Sequence, residues 1–412
     1  MLLDSPALAL TQDILLGIFY LLQSTSVAHS VGNAGRKLPI AFILSHVTQQ
    51  WRALAINAPL LWANILVTTS LCPDALRVII SRSAYCELDI TFLSSPPFVG
   101  YSQRRRLKES LHLRDSASLL IPYTTRWRRL RIVADANSMR YIMNPVTNIS
   151  LPRLRLLELK LVPTTTHNHA PDISHFGPFR FNPHVFTTLN LHQVAIYPAH
   201  PCHFSGLNSL QITQTCIIDQ FYVASNCMIP ISTDTPCMSH LAHLTISSPF
   251  PSLPSAISFT PRNLSTVTLC HFRCTTHVQS TTLMKLFSVL VTPCLEELVL
   301  EDIDGGAWDV FLDFLGAGQS IVNLIPVMRK NGTEYPALKR LTLKSLGLNG
   351  IDKRFATALP NIEYLALVDL DPTPVMALFQ HDIIDRFLWR QLKILINEVE
   401  IENPRQTMLI GK

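Results

Sequence analysis

The chain of 412 residues is 48% hydrophobic and only 15% charged, a balance typical of a folded protein with a large core and not of a disordered one. Its 34 basic and 29 acidic residues give a net charge of +5, too small over this length to indicate polyanion binding by itself. The nine cysteines follow no regular spacing, which argues against a secreted, disulfide-bonded framework.

The amino-terminal residues predict neither an export signal nor a membrane anchor. Met1-Leu2-Leu3-Asp4 lacks a basic stretch and is not followed by a small-residue cleavage site. The apolar run from Ile14 to Leu22 is too short to span a bilayer. We therefore expect an intracellular protein, cytoplasmic or nuclear, with no membrane partner.

The first 70 residues predict a small helical domain. Six apolar residues recur at the spacing of one helix face and predict an amphipathic helix that begins near Thr11. These residues are Leu10, Ile14, Leu15, Ile18, Phe19 and Leu22. The polar stretch 23–37 then predicts a linker.

Pro39 marks the start of a second predicted helix, because proline is favoured at the first helical position. The apolar face of this helix is predicted to contain Ile40, Ile43, Leu44, Val47, Trp51 and Leu54. Ala58-Pro59 ends the helix, and residues 60–65 form a short apolar segment. Helical pieces of this size leave an apolar stripe uncovered, so we expect a partner to cover it.

Residues 71–125 predict a connector between two parts of the protein. The pattern indicates an amphipathic helix around 74–83, a strand with Leu88, Ile90 and Phe92 on one face, a turn at 95–97 and a basic helix over about 102–113. Such a segment would join its neighbours rigidly.

Nine basic and two acidic residues lie between Arg104 and Arg131. This cluster is compatible with a nucleic-acid site. We favour a solvated helix face followed by a strand edge, because no aromatic or glycine interleaving marks a base-stacking surface. Nucleic-acid binding through 104–131 is kept as a second alternative only.

A leucine-spaced phrase recurs ten times along the rest of the chain. Each copy has apolar residues at its first, fourth and usually sixth positions, as in Leu154-x-x-Leu157-x-Leu159. The copies begin at Trp127, Leu154, Phe186, Leu207, Leu241, Leu264, Leu295, Leu338, Ile362 and Leu392. Such a phrase predicts a short strand that buries its apolar face only by stacking on its neighbours.

We therefore predict an α/β fold in which a helical domain (1–70) and a connector (71–125) precede an irregular leucine-rich-repeat solenoid (126–412) with a curved parallel sheet. The repeat intervals are unequal, the shortest separating Phe186 from Leu207 and the longest separating Leu295 from Leu338. A solenoid of this kind presents one long exposed face, which suits holding a partner.

Residues that alternate with the buried ones along each strand are predicted to form this concave face. The candidate target-binding residues are Arg129, Arg131, Glu158, Lys160, His192, Gln211, His243, Glu297, Glu301, Arg340, Lys344 and Tyr364. The same alternation assigns Ile394 and Ile396 to this face, which makes its end apolar. We expect the tail from Glu398 to fold over that end as a cap.

Histidine and cysteine clusters do not predict a metal site. The candidates are His167, His169, His175, His184, Cys202-His203 and Cys270-His271. Neither paired Cys-x-x-Cys motifs nor a His-Glu-x-x-His pattern accompanies them. Nucleophile elbows and glycine-rich phosphate loops do not occur in the sequence either. We therefore expect no metal, no cofactor and no catalytic residue, that is, a protein that is not an enzyme.

Two segments near the amino terminus carry a family resemblance. The run from Leu10 to Phe19 resembles the opening of an F-box, whose usual form is Leu-Pro-x-Glu-Ile-Leu-x-x-Ile-Phe. Leu44 to Ala55, followed by Pro59 to Ile65, is similar to the second half of fungal-type F-box-like domains, which reads Leu-x-x-Val-Cys-x-x-Trp-Arg-x-Ile-Ala and then Pro-x-Leu-Trp-x-x-Ile.

The resemblance implies a substrate-recognition subunit of a cullin-based ubiquitin ligase. The F-box-like domain would bind a Skp-type adaptor of the cullin complex, and the repeats would bind a target protein not identified by the sequence. The implied adaptor-binding residues are Leu10, Ile14, Ile18, Phe19, Leu44, Val47, Trp51 and Trp62. An alternative is an interaction scaffold with a degenerate F-box and no ligase role, favoured by Thr11 in place of the usual proline and by the long linker.

Overall fold

The computed structural model of the protein describes residues 10–29, 39–94, 103–162, 175–192, 195–198, 206–213, 240–247, 263–272, 274, 280–281, 283–284, 286–287, 294–316, 338–345, 362–369, 393–396 and 399–401. The chain forms two compact units. The first contains residues 1–186 and 194–203, and the second contains residues 187–193 and 204–412. Both units combine parallel strands with helices, as expected of an α/β protein.

The amino-terminal part of the first unit is helical. Its elements are α1 (Gln12–His29), α2 (Ile40–Ser45), α3 (Gln49–Ile56) and a 3-10 helix (Pro59–Trp62). The predicted first helix is confirmed, but it extends into the predicted linker as far as His29. Residues 30–38 lie outside the described part of the chain.

The prediction of one continuous second helix is wrong. Thr48 has an extended backbone, and its hydroxyl oxygen accepts a hydrogen bond of 3.1 Å from the Trp51 amide, so that it caps a new helix. A threonine hydroxyl that bonds a backbone amide competes with helix propagation and favours a helix start. The apolar spacing continued across this break, which is why periodicity alone did not reveal it.

The rest of the first unit is built around a parallel sheet. Its elements are β1 (Asn64–Thr68), α4 (Pro73–Arg82), β2 (Leu88–Leu93), α5 (Gln103–Leu120), a second 3-10 helix (Ile121–Arg126), β3 (Trp127–Ala134), α6 (Ala136–Met143), β4 (Ser150–Leu151), β5 (Leu156–Leu161), β6 (His175–Phe181) and β8 (Ala195–Pro198). Strands β1, β2, β3 and β5 pair in that order, and β4, β6 and β8 form a separate small sheet.

The register of the main sheet places large aliphatic residues side by side. Ile65, Ile90, Leu130 and Leu157 are paired neighbours on successive strands, and all four are buried. The predicted helix around 74–83 and the strand at Leu88 are confirmed as α4 and β2. Helix α5 continues beyond the predicted residue 113 to Leu120, and the predicted turn at 95–97 lies outside the described residues.

The second unit contains the later copies of the leucine-spaced phrase. Its elements are β7 (Thr188–His192), β9 (Ser209–Thr213), β10 (His243–Ser247), β11 (Thr266–Cys270), β12 (Glu297–Glu301), α7 (Gly305–Gly316), β13 (Arg340–Lys344), β14 (Tyr364–Val368), β15 (Lys393–Ile396) and β16 (Val399–Ile401). Eight strands pair in parallel, each with the next, in the order β7, β9, β10, β11, β12, β13, β14 and β15. Strand β16 then pairs antiparallel with β15.

All ten copies of the phrase form strands, namely β3, β5, β7 and β9 to β15. One buried aliphatic residue of each strand of the second unit lies in a common row: Leu189, Leu210, Leu244, Val267, Leu298, Leu341, Leu365 and Ile394. The prediction that the phrase marks parallel strands stacked on an apolar core is therefore confirmed.

The three-part division at residues 70 and 125 stays a prediction. Strand β1 begins before residue 70 and pairs with β2, and the two compact units divide elsewhere in the chain. Among the described helices, none combines the length and the apolar character needed to cross a membrane.

Candidate functional site

Exposed apolar side chains are concentrated near the amino terminus. Ten large hydrophobic residues of the described chain are exposed, and seven of them lie between residues 14 and 60. These seven are Ile14, Leu21, Leu22, Ile43, Val47, Ile56 and Leu60. They lie on α1, α2, α3, the 3-10 helix and the turn between α2 and α3. We call these seven residues the amino-terminal apolar set.

Helix α1 has a buried apolar face and an exposed one. Leu15 and Phe19 are fully buried, and Gln23 on the same face donates a hydrogen bond of 2.9 Å from Nε2 to the Leu61 carbonyl. Ile14 and Leu21 lie on the other face, with 51% and 68% of their surface exposed. A helix that is apolar on two faces and buried on one has an uncovered hydrophobic surface.

The implied adaptor-binding residues are divided between the core and the surface. Phe19, Leu44 and Trp62 are buried in the chain's own core. The Trp62 indole donates a hydrogen bond of 2.7 Å to the Ala55 carbonyl, and its ring packs edge-on against Phe42 at a centroid distance of 5.3 Å. These contacts hold the 3-10 helix against α2 and α3.

The remaining implied residues are accessible to a partner to different degrees. Val47 is 52% exposed, and Ile14 is exposed to a similar extent. Leu10, Ile18 and Trp51 are half-buried, and Trp51 packs edge-on against Phe19 with ring centroids 5.0 Å apart. The sequence analysis did not select Leu21, Ile56 and Leu60 as binding residues. Their apolar character next to the F-box-like segments was the only sequence feature that could have indicated them.

We call the sheet face formed by the residues that alternate with the buried ones the outward face. In the first unit this face carries a network of ion pairs. Arg128 donates two hydrogen bonds to the Asp89 carboxylate, at 2.9 and 2.5 Å. The bonded carboxylate raises the pKa of Arg128. Arg131 pairs with Glu158 on β5 at 2.9 Å. Asp89 lies on β2, a strand outside the leucine-spaced phrase, so the repeat pattern gave no reason to select it.

These pairs neutralise much of the basic cluster between residues 104 and 131. Arg105 pairs with Glu109 at 3.2 Å, and Arg114 pairs with Asp115 at 2.9 Å. Arg126 donates hydrogen bonds to the carbonyl oxygens of Ser83 and Cys86 near the end of α4, and burial lowers its pKa. Intramolecular contacts of this kind favour a structural role for the cluster over phosphate binding.

The outward face of the second unit changes in character along the sheet. On β7 to β11 it is mostly neutral and polar, with Asn190, Gln211, Thr245 and Thr268 in one row. On β12 and β13 it is charged, and Lys344 pairs with Glu301 at 2.7 Å. The predicted concave-face residues of this unit, His192, Gln211, His243, Glu297, Glu301, Arg340, Lys344 and Tyr364, are all half-buried or exposed.

The first unit contributes four of the predicted concave-face residues. Arg129 is exposed, and Arg131, Glu158 and Lys160 are half-buried. Arg131, Glu158 and Lys160 each lie between buried neighbours on β3 or β5, whereas Arg129 lies between half-buried Arg128 and buried Leu130. Their alternation with the core residues therefore agrees with the predicted orientation.

The prediction for the last parallel strand is wrong. Ile394 pairs in register with Leu365 and is fully buried, so Lys393 and Leu395 alternate with it. The weak last copy of the phrase, Leu392-x-x-Leu395, misassigned the alternation by one residue. The described part of the tail, β16, pairs with the edge of β15, and the predicted cap over the outward face stays a prediction.

Cys270 is a protonated thiol at neutral pH. It is buried at the end of β11, with its sulfur 3.7 Å from a carboxylate oxygen of Glu301. Burial and the adjacent negative charge raise its pKa to about 12. A thiolate is the reactive form of cysteine, so this environment disfavours a nucleophilic role.

Within the part of the chain that the structure describes, no three His, Cys, Asp or Glu residues are close enough to hold a metal ion. His271 forms a pair with Asp302, with 2.7 Å between Nδ1 and Oδ2. Four of the metal candidates, His167, His169, Cys202 and His203, lie outside the described residues.

Comparison with known proteins provides no relative from which a function could be transferred. No protein-family model and no curated protein matches the chain. A proposed function therefore depends on the amino-terminal apolar set and on the outward face of the parallel strands.

Proposed function

We propose that this protein is a substrate-recognition subunit of a cullin-based ubiquitin ligase. Its amino-terminal helices bind a Skp-type adaptor, and the outward face of a leucine-rich-repeat solenoid binds a target protein. The observation that carries the proposal is the concentration of exposed apolar side chains between residues 14 and 60. These residues lie within the two segments that resemble an F-box or within three residues of them.

The cost of leaving these side chains in water supports a binding role. Fully burying a side chain of this size is worth about 1.5–3 kcal/mol relative to leaving it exposed. Because α1 already buries Leu15 and Phe19 against its own domain, the Ile14 face remains for a partner. A few such apolar anchors usually dominate the affinity of an interface.

Capture of a purified Skp-type adaptor by the full-length protein tests the proposal. We expect the unmodified chain to retain the adaptor and the double variant Ile14→Asp with Val47→Asp to lose it, because both residues are exposed and a carboxylate there would have to be buried unpaired. Both substitutions lie on the surface, so the fold should survive them.

Leu107→Asp is the matched control. Leu107 is 47% exposed on α5 and does not belong to the amino-terminal apolar set, so the same chemical change there should leave adaptor binding intact. Failure of the unmodified chain to retain the adaptor, under conditions in which a typical F-box does, would favour the scaffold alternative.

A further inference from the structure

Tyr364 lies between two cationic side chains on the outward face of the second unit. The guanidinium carbon of Arg340 is 5.2 Å from the centre of the tyrosine ring, and Nζ of Lys393 is 5.8 Å from it. Arg340 is on β13 and Lys393 is on β15, the two strands that flank β14. The ring therefore attracts a cation from each neighbouring strand.

The Arg340 guanidinium lies toward the tyrosine and not toward the carboxylate available to it. Glu297 is its register neighbour on β12, the strand on the side opposite β14. The described residues include no hydrogen-bond or ion-pair partner for the Arg340 guanidinium, whereas Lys344 on the same strand pairs with Glu301 at 2.7 Å. Arg340 is exposed.

An apolar row adjoins these cations. Val299, Ala366 and Leu395 face outward in register with Thr342, and all four are half-buried. On β13, β14 and β15 the row lies two residues further along the chain than Arg340, Tyr364 and Lys393 and therefore on the same face. An aliphatic side chain could pack on this row while an adjacent anionic group reaches the cations.

We propose that Arg340, Tyr364 and Lys393 bind the oxyanion of an acidic segment in a target protein, while an aliphatic side chain of that segment packs on Ala366 and Leu395. The inference rests on the proposed recruiting function and names its substrate class. A guanidinium presents paired N–H donors that match a carboxylate or phosphate. The neutral face of β7 to β11 has no comparable pair of cations around an aromatic ring among its described residues.

Binding of synthetic peptides to the full-length protein tests this proposal. The probes are a short labelled peptide of alternating leucine and glutamate, the same peptide with phosphoserine in place of glutamate, and a neutral version with glutamine. Fluorescence anisotropy measures each Kd. We expect at least one of the two anionic peptides to bind more tightly than the neutral one, and Arg340→Gln to raise its Kd about tenfold, since it removes a charge-assisted contact.

Lys339→Gln is the matched control, because it removes the same charge one residue away. Lys339 is paired with Glu363 at 3.8 Å and lies outside the row of Arg340 and Tyr364. Its substitution should leave the Kd nearly unchanged, whereas Tyr364→Leu should weaken binding as Arg340→Gln does. An unchanged denaturation midpoint of each variant shows that the fold is intact.

Three results would overturn the proposal: equal affinity for the anionic and neutral peptides, equal effects of Arg340→Gln and Lys339→Gln, or equally effective competition by a DNA oligonucleotide of matched charge. The relative affinity for the glutamate and phosphoserine peptides identifies the source of the oxyanion. Adaptor capture is measured separately. Capture without selective peptide binding refutes only this inference, and selective peptide binding without capture refutes only the ligase role.

Discussion

Neighbouring residues of one strand have opposite roles in this protein. Leu298 on β12 is 2% exposed and lies between Val267 and Leu341 of the flanking strands, whereas Val299 faces outward and is half-buried. Side chains of a strand alternate between its two faces, so one step along the chain moves a residue from the core to the surface. The same step separates residues that stabilise the fold from residues that are accessible at the surface.

We expect Leu298→Ala to lower the free energy of unfolding by about 2–5 kcal/mol, because it leaves a cavity between two filled strands. Val299→Ala should lower it by about 1 kcal/mol or less, since a half-buried side chain loses fewer contacts. Urea denaturation monitored by circular dichroism measures both. Equal costs for the two variants would contradict the assignment of the two faces.

The start of helix α7 packs closely against the backbone at Cys274, whereas one face of α1 has free space beside it. At the start of α7, the carboxylate of Asp304 accepts a hydrogen bond of 2.8 Å from the Ala307 amide and also bonds the Cys274 amide. Gly306 lies directly against the backbone there, since a Cβ at this position would be 2.2 Å from the Cys274 carbonyl oxygen. In α1, by contrast, a Cβ at Gly17 would contact nothing within 4 Å.

Alanine at these two glycines should therefore have opposite effects. Gly306→Ala forces α7 away from the backbone at Cys274, and we expect a clear fall in the denaturation midpoint. Gly17→Ala should raise stability by about 0.5–1 kcal/mol, because alanine costs less conformational entropy in a helix than glycine does. Thermal melts of the two variants in parallel provide the measurement, and a destabilised Gly17→Ala protein would show that α1 is packed on this side.

The parallel sheet of the second unit needs protection at its last strand. An unpaired strand edge presents free amide and carbonyl groups that can pair with another chain. Strand β16 pairs antiparallel with β15 and occupies that edge. We therefore expect the short segment Val399–Ile401 to reduce pairing of this edge with another chain.

A chain that ends before Val399 should self-associate, because the edge of β15 is then exposed. A chain that ends after Ile401 keeps β16 and serves as the control. Light scattering during size-exclusion chromatography would report the difference in mass. If both truncated chains elute with the mass of the full-length protein, β16 is not required to block the edge.

The sequence by itself determined where most of the strands lie and most of the residues that they bury. The leucine-spaced phrase located ten strands, and helix α4 followed from its apolar spacing. Such patterns are readable because a strand or helix with one buried face must repeat its apolar residues with the period of that element. The chemical character of much of the outward face followed from the same alternation.

Only the tertiary structure decided which partners those side chains meet. The break at Thr48, the burial of Ile394 and the division of the F-box-like segments into buried Phe19 and exposed Ile14 all depend on neighbours that are distant in sequence or on local capping. The contacts of Arg340 with Tyr364 and of Arg128 with Asp89 likewise require strand pairing to bring the residues together. Periodicity fixes which face a residue occupies, whereas packing fixes what lies beside it on that face.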